Sequence, residues 1–466
     1  MQLSHRRAFI GLRRAKANRL INSTHQSGRL VVMLSLHEKL MRLCVGCGAC
    51  LGICPANAVK LNVKNGMSTV NFDNLCCINC AKCINICPAF FNFHASGPES
   101  LNTLGRIKKI FFGYSINDDI RYHGASGGVV TSLLLYMLKH EIVNKVLVVR
   151  MKGFRAEPLL TDNNDEVISA QGSIYFKTFS LRLLPEIIHE ISKGNKLGIV
   201  GLPCQIATLI KVLKNSESKV YFIGLICNHT NEFWYLEHII KKYLPQNTMP
   251  LAITSRKDGW PGTIKIIFKS KNQNPQEVLN ALNTQFWSLL PSLNLSAPLG
   301  CLICTDHLAS TADIVAGDAW HPKFIGKDSQ GISIMIARTD KGLKLIEQAI
   351  EDKALYAETA QPKDLFIAQS HNIIEETQYA PFKRKLLQHR TEAIKEIDKT
   401  FIALLFMASC HLTKHEASRQ LLKTSPIENF LHIILRLQSQ QETQKIRNIL
   451  KYNVLFDERY IPHAVV

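Results

Sequence analysis

"CVGCGACLGICP" occupies residues 44–55, and "CINCAKCINICP" occupies residues 77–88. Both stretches place four cysteines at the same offsets and end in proline, so the C-x2-C-x2-C-x3-C-P motif occurs twice in the chain. Three closely spaced thiolates, with a fourth that reaches across to the neighbouring site, are the ligand pattern of paired 4Fe-4S clusters. The spacing predicts a two-cluster ferredoxin-like domain over residues 40–94. Zinc and an inert relic are weaker alternatives, because C-x2-C pairs also bind zinc.

The crossed pattern assigns the eight cysteines to two groups of four. The first group is Cys44, Cys47, Cys50 and Cys87, and the second group is Cys77, Cys80, Cys83 and Cys54. Gly46 and Gly48 are expected to leave room for backbone amides to approach the cluster sulfides. Cys76, beside the first ligand of the second group, receives no role.

The composition indicates a globular protein of more than one domain, with 466 residues of which 46% are hydrophobic and 20% charged. The net charge of +19 is concentrated at the two ends. Residues 1–39 hold eight basic side chains and one acidic side chain, which predicts a disordered basic leader. Residues 385–466 predict a basic helical region. No apolar stretch approaches the ~18–20 residues of a membrane span, and no nucleic-acid-binding motif accompanies the charge.

Residues 95–106 are small and polar and predict a linker to an α/β body over residues 107–384. Strand-like stretches such as 145–151, 196–201 and 219–227 alternate with helical patterns. This alternation predicts a mostly parallel sheet with crossover helices. The expected fold is therefore this α/β body, preceded by a small ferredoxin-like α+β domain and followed by the helical C-terminal region.

A glycine-rich turn precedes the first predicted helix of the body. "GASGGVV" (124–130) places Ser126, Gly127 and Gly128 where free backbone N–H groups favour an anion such as a flavin or nucleotide phosphate. A tight turn without a ligand explains the same residues equally well.

Four more cysteines lie at predicted strand ends or turns, where ligand sites of parallel sheets gather. They are Cys204, Cys227, Cys301 and Cys304. Together they could hold a third 4Fe-4S cluster. Two alternatives stay open: buried free cysteines beside a chance C-x2-C pair, or a redox-active dithiol at Cys301 and Cys304.

Several stretches, in the same order, give the chain a family resemblance: "GLPCQIATL", "GLICNH", "RKDGWPG" and "CLICTDHLASTADIVAGDAW". From about residue 40 to about residue 380 the sequence resembles the coenzyme F420 hydrogenase/dehydrogenase beta-subunit family. The resemblance implies a flavoprotein that binds FAD and at least one 4Fe-4S cluster in its body, with Cys204, Cys227, Cys301 and Cys304 as cluster ligands. It also implies a set of FAD contacts, which are Ser126, Gly127, Gly128, Gly172, Ser173 and Lys177.

The expected function is an FAD- and iron–sulfur-dependent oxidoreductase. Electrons from an external donor, such as a ferredoxin or a dehydrogenase subunit, would pass through 4Fe-4S clusters to FAD and on to a hydride-accepting small molecule. The main rival is a non-catalytic electron-transfer beta subunit of a larger hydrogenase or dehydrogenase, and a structural iron–sulfur scaffold without flavin is a weaker one.

Several points stay open at the level of sequence. Four histidines flank the motifs, but none is assigned as a general acid, and the catalytic residues stay unassigned; the four are His123, His229, His307 and His321. The substrate and the oligomeric state, including a homo-oligomer, are open. Oxygen-sensitive clusters favour a reducing compartment, so a cytoplasmic location is expected.

Overall fold

The computed structural model describes residues 36–64, 67–94, 104–214, 216–244, 246–270, 276–281, 296–374 and 376. Most of the predicted leader and linker, and the whole predicted helical region 385–466, lie outside these described residues. Within them, no helix is both long and apolar enough to cross a bilayer.

The N-terminal segment is built from short helices around a two-stranded antiparallel sheet. Its elements are α1 (36–42), α2 (Ala49–Ile53), β1 (Val59–Lys64), β2 (Met67–Phe72), α3 (Lys82–Asn85) and α4 (Pro88–His94). The repeated sequence gives a repeated backbone. Gly46 (φ 74°) and Gly48 (φ 85°) are left-handed, and so are Asn79 (φ 55°) and Ala81 (φ 57°) at the same offsets of the second repeat. These turns curl each cysteine loop before its helix begins.

An eight-stranded sheet forms the centre of the body, in the order β13-β3-β12-β11-β7-β6-β4-β5. Its strands are β3 (Lys109–Ser115), β4 (Lys145–Lys152), β5 (Arg155–Thr161), β6 (Leu197–Gly201), β7 (Val220–Leu225), β11 (Ile314–Asp318), β12 (Ser333–Ala337) and β13 (Leu355–Ala360). A separate antiparallel sheet contains β8 (Thr248–Lys257), β9 (Thr263–Ser270) and β10 (Gln276–Ala281).

The sheet is mixed, which corrects the prediction of a mostly parallel one. The four central strands β4, β6, β7 and β11 run parallel to their neighbours within that set, whereas the flanking pairs are antiparallel. Only two residues separate β4 from β5, and a connection this short joins antiparallel strands because a parallel pair needs a long crossover. The ligand-binding edge predicted from parallel strands therefore exists at the centre of the sheet.

The helices of the body are α5 (Asp118–His123), α6 (Val129–Lys139), α7 (Asn164–Ser169), α8 (Leu184–Ser192), α9 (Pro203–Val212), α10 (Phe233–Tyr243), α11 (Leu299–Leu302), α12 (Asp340–Glu351) and α13 (Pro362–Ile374). Helices cover both faces of the eight-stranded sheet, whereas α10 packs on β8 and β9 and α11 packs on the N-terminal segment. Neighbouring residues of β3 point to opposite cores: Phe111 packs with residues of α6 and α12, while Phe112 packs with residues of α8, α9 and α13. Cys47, Ala49 and Ile86 join the second core, so the N-terminal segment packs directly onto the body.

Candidate iron–sulfur centres and an adjoining cavity

The first group of cysteines is buried at the junction of the N-terminal segment and the body. Cys44, Cys47, Cys50 and Cys87 are all buried. Burial raises the pKa of Cys47 to about 12. Burial also raises the pKa of Cys50 well above its usual range, and the charges of Cys47, Cys44 and Cys87 raise it further. The four thiols predicted to share one cluster therefore converge.

The second group lies nearer the surface. Cys54, Cys77, Cys80 and Cys83 line one small apolar cavity together. Burial raises the pKa of Cys83 to about 11, with additional repulsion from Cys54, Cys80 and Cys77. Cys80 is exposed, in contrast to every thiol of the first group. Cys76 is also exposed and is not part of the cavity lining.

Three separate elements bring the third group together. Cys204 lies in the first turn of α9, Cys227 follows β7, and Cys301 and Cys304 belong to α11 and the turn after it. Burial raises the pKa of Cys204 well above its usual range, and four thiolates add to the effect: Cys47, Cys304, Cys227 and Cys301. The influence of Cys47 places the third group next to the first.

The chemistry of these three donor sets fits a metal cluster. Buried thiols that repel one another resist ionisation, and iron supplies the positive charge that makes coordinated thiolates stable. Across the described residues, no group of three or more His, Cys, Asp or Glu side chains is arranged to hold a single metal ion.

His307 positions two cysteines of the third group. Its Nδ1 lies 2.8 Å from the carbonyl oxygen of Cys227, and its Nε2 lies 3.2 Å from the carbonyl oxygen of Cys304. The backbone N–H of His307 donates to Oε2 of Glu376 at 2.7 Å. This buried histidine therefore lies against the backbone of two cysteines of the third group.

A cavity of about 330 Å³ lies at the carboxyl ends of the central parallel strands. Its wall includes Gly201 of β6, Leu225 of β7 and Asp318 of β11. Parallel sheets bind ligands at this edge, and the volume falls in the range of small-molecule sites.

Four of the six predicted flavin contacts line this cavity, namely Ser126, Gly128, Gly172 and Ser173. The other two do not. The backbone N–H of Gly127 donates to Oγ of Ser333 at 3.0 Å, and its carbonyl oxygen accepts from the N–H of Ser115 at 2.7 Å. Lys177 is ion-paired with Glu232 at 2.7 Å, outside the cavity wall. Gly127 and Lys177 therefore lie outside the cavity wall, and their assignment as flavin contacts stays a prediction.

Arg256 received no role from the sequence, but in the structure it donates hydrogen bonds to residues of the cavity wall. Its guanidinium donates to Oδ1 of Asp318 at 2.5 Å, to the carbonyl oxygen of Ala125 at 2.9 Å and to the hydroxyl of Tyr175 at 3.2 Å. Ala125, Tyr175 and Asp318 all belong to the cavity wall. The stretch "RKDGWPG" could have drawn attention to Arg256, its first residue, but it was used only as evidence of the family resemblance.

One segment belongs to both the third cysteine group and the cavity. Residues 227–231 begin at Cys227 and line the cavity along their whole length. Among the four flanking histidines, all of which are described, His229 alone lies in this wall. The segment therefore connects a candidate cluster directly to a candidate ligand site.

Three parts of the chain match known protein families. Residues 43–90 match "4Fe-4S dicluster domain". Residues 110–184 match the N-terminal part of the coenzyme F420 hydrogenase/dehydrogenase beta-subunit family, and residues 194–363 match the C-terminal part of the same family. The two beta-subunit matches together cover more than half of the chain.

Several known proteins are similar to this chain. Coenzyme F420 hydrogenase subunit beta of Methanothermobacter thermautotrophicus is 25% identical over 257 residues, covering 53% of this chain and 83% of the relative. F420-dependent formate dehydrogenase 1 subunit beta of Methanococcus maripaludis is 25% identical over 279 residues, covering 59% and 67%. A chain of the F420-reducing NiFe hydrogenase complex from Methanosarcina barkeri aligns with a TM-score of 0.46 and 19% identity, covering 63% of this chain and 96% of that chain. This chain thus belongs to the coenzyme F420 hydrogenase/dehydrogenase beta-subunit family, as its motifs predict, and carries a 4Fe-4S dicluster domain near its N-terminus.

Proposed function

We propose that this chain is the iron–sulfur electron-transfer beta subunit of a larger oxidoreductase complex of the hydrogenase or dehydrogenase type. One observation carries this function: three groups of four cysteines follow one another from an exposed surface, through the buried junction, to the edge of a cavity. Clusters held by these groups would supply one-electron carriers. Relatives named as beta subunits of a hydrogenase and a formate dehydrogenase support a multisubunit assembly.

The cavity would hold FAD. Gly128 is the N-cap of α6, with φ 71° and no side-chain cap, so the first N–H groups of this helix are available to a phosphate. Ser126 and Gly128 line the cavity at that point, and Gly172 and Ser173 line it from another segment. A bound flavin would supply the exchange between one-electron and hydride chemistry. The residues 227–231 would set its distance from the third group.

Electrons would enter at the surface around the second group, which we call the Cys80 face and define by Cys80, Leu75, Ile78, Lys60 and Lys82. Leu75 is 99% exposed and Ile78 is 63% exposed. Lys60 and Lys82 are exposed on the same part of the segment, and the charge of Lys60 acts on Cys76. Exposed apolar residues flanked by positive charge suit a donor protein with an acidic rim around its redox centre.

A self-contained reductase is the second candidate function. The observation that favours it is the cavity itself, since its volume suits a small molecule and His229 lies in its wall. Turnover of a small hydride acceptor by the isolated chain would favour this candidate. Copurification with large partner subunits, without turnover by the chain alone, would favour the beta subunit.

The first experiment is to measure iron, acid-labile sulfide and extractable FAD per chain, on protein purified without oxygen. Three occupied groups predict about 12 iron atoms and one FAD. Cys204→Ser is expected to lower the iron to about 8 per chain, whereas the neighbouring-thiol control Cys76→Ser keeps the full amount. About 8 iron atoms and no flavin in the unmodified protein would contradict both the third centre and the flavin site.

A further inference from the structure

A buried ion pair lies where the N-terminal segment meets the body. Nζ of Lys177 is 2.7 Å from Oε1 of Glu232, and the two side chains are 4% and 5% exposed. The same Nζ donates to the carbonyl oxygen of Ser68 at 2.8 Å, and the N–H of Ser68 donates to Oε2 of Glu232 at 3.3 Å. The pair therefore holds β2 of the ferredoxin-like segment through both the N–H and the carbonyl group of one residue.

The stem of Lys177 lies against the loop of the first cysteine group. A Cβ atom added to Gly46 would meet Cγ of Lys177 at 2.4 Å, so this glycine and this lysine are in close contact. The segment that follows Lys177 continues along the loop. The N–H of Phe179 donates to the carbonyl oxygen of Gly46 at 2.8 Å, and the N–H of Leu181 donates to that of Cys47 at 2.9 Å.

The pair also adjoins the third group. Glu232 directly follows the segment 227–231 that begins at Cys227, and its backbone N–H donates to the carbonyl oxygen of Ser296 at 2.8 Å, five residues before Cys301. The pair thus contacts the loop of the first group through Lys177 and adjoins the third group through Glu232. Buried charges this close to a redox centre change its potential, because reduction adds a negative charge.

We propose that Lys177 and Glu232 are a positioning pair that fixes the ferredoxin-like segment on the body and balances the charge between the first and third cysteine groups. This role rests on the proposed electron-transfer function. Lys177 contributes the positive charge that favours the reduced state of these groups, and Glu232 cancels it. The pair therefore sets the potential of the electron path at the point where the path crosses from one part of the chain to the other.

The test compares two variants that differ in net charge but both lose the ion pair. Glu232→Gln keeps the shape of the side chain and leaves the positive charge of Lys177 without a negative partner. The double variant Lys177→Met with Glu232→Gln loses the contact but restores the net charge of the pair to zero. Potentials are measured by redox titration monitored by electron paramagnetic resonance, together with iron content. The exposed pair Lys323 and Glu358 supplies the matched control variants, Glu358→Gln alone and with Lys323→Met.

Glu232→Gln is expected to raise the ratio of reduced to oxidised protein at the first or third group about tenfold at a fixed applied potential. For one electron this corresponds to a rise in the midpoint potential of about 59 mV. The double variant is expected to return close to the unmodified potential, and the control variants are expected to shift nothing. A purely structural contact would instead leave the double variant as perturbed as Glu232→Gln, or more, and that result would overturn the charge balance.

The outcomes stay separable from those of the proposed function. If the unmodified protein holds about 8 iron atoms, the third centre fails, but the shift can still be measured at the first group, which Lys177 touches through Gly46. If Glu232→Gln does not accumulate, Lys177→Met replaces it as the variant that changes the net charge: it leaves Glu232 unbalanced and is expected to lower the potential by about 59 mV. No shift in the single variant, or a shift that the double variant keeps, contradicts the charge balance.

Discussion

Gly46 and Gly48 show how single residues fix the junction between the first cysteine group and the body. Both have left-handed backbones, and a Cβ atom on Gly48 would lie 2.5 Å from the carbonyl oxygen of Phe179. Sequence reasoning expected these glycines to serve backbone amides near a cluster. Their observed contacts also serve the close approach of residues 177–181, which spacing within the cysteine motif could not reveal.

Gly48→Ala is expected to lower the free energy of unfolding by about 3 kcal/mol, since left-handed strain adds to a backbone clash. Gly326 (φ 71°) is the matched control, because nothing lies within 4 Å of its added Cβ. Gly326→Ala should cost only about 1–2 kcal/mol, from backbone strain alone. Urea denaturation of both variants measures the difference. Equal losses would show that the approach of Phe179 is not tight in solution.

The sequence predicted the groups of cysteines better than it predicted the long-range contacts of the residues around them. Local spacing is enough to recognise a cluster-binding loop, because its ligands are neighbours in the chain. Lys177 and Arg256 could not be placed in this way, since each makes its decisive contact more than 50 residues away, with Glu232 and Asp318. The sequence therefore did not predict the ion pair of Lys177 with Glu232 or that of Arg256 with Asp318.

Two helices on one face of the sheet are joined by a partly buried hydrogen bond that gives a prediction for pH. The hydroxyl of Tyr136 on α6 donates to Oδ2 of Asp352, the C-cap of α12, at 2.6 Å. Burial, and then Asp352, raise the pKa of Tyr136 from 10.0 to about 12. The folded state keeps the phenol neutral, so this stabilisation is complete below pH 10 and is lost as pH rises to about 12.

Tyr136→Phe is expected to lower the free energy of unfolding by about 1.5 kcal/mol at pH 8. The gap between the two proteins should close between pH 10 and pH 12, because the unmodified protein loses the contribution there. Denaturation curves at several pH values across this range measure the gap. A gap that stays constant up to pH 12 would show that the phenol titrates alike in both states.

The elements of the body illustrate which parts of a sheet can be predicted from sequence. Strand-like apolar stretches correctly predicted the central strands β4, β6 and β7. They did not predict β5 or β13, which add antiparallel edges. Edge strands are half exposed and carry polar residues, as in "RAEPLLT" of β5 and "LYAETA" of β13, so their apolar signal is weak.

At the scale of the whole molecule, the three cysteine groups differ in their access to solvent. The first group is buried and the third group is half-buried beside the cavity, whereas the second group opens at the Cys80 face. An outside protein can therefore approach one end of the series. Lys60 and Lys82 make that end positively charged, while Asp73 nearby is occupied by the backbone N–H groups of Leu75 and Cys76.

Reversing both charges, by Lys60→Glu with Lys82→Glu, is expected to slow reduction by a small acidic ferredoxin about tenfold at low salt. The loss should shrink as ionic strength rises, because screening removes the steering in both proteins. Stopped-flow absorbance of the clusters measures the rate, and Lys193→Glu with Lys323→Glu is the control of equal charge. An equal slowing in the control would mean that net charge matters and the Cys80 face does not.

The main-chain hydrogen bonds from Phe179 and Leu181 to the loop of the first group have a consequence for kinetics. In some redox proteins a ferredoxin domain on a flexible linker must move from its electron donor to its acceptor. The rate of electron transfer then depends on the viscosity of the medium. Here two main-chain hydrogen bonds hold the loop on the body. Electron transfer between the first and third groups therefore needs no movement of the ferredoxin-like segment. Glycerol should slow the encounter with an outside donor and leave the internal electron step at its original rate.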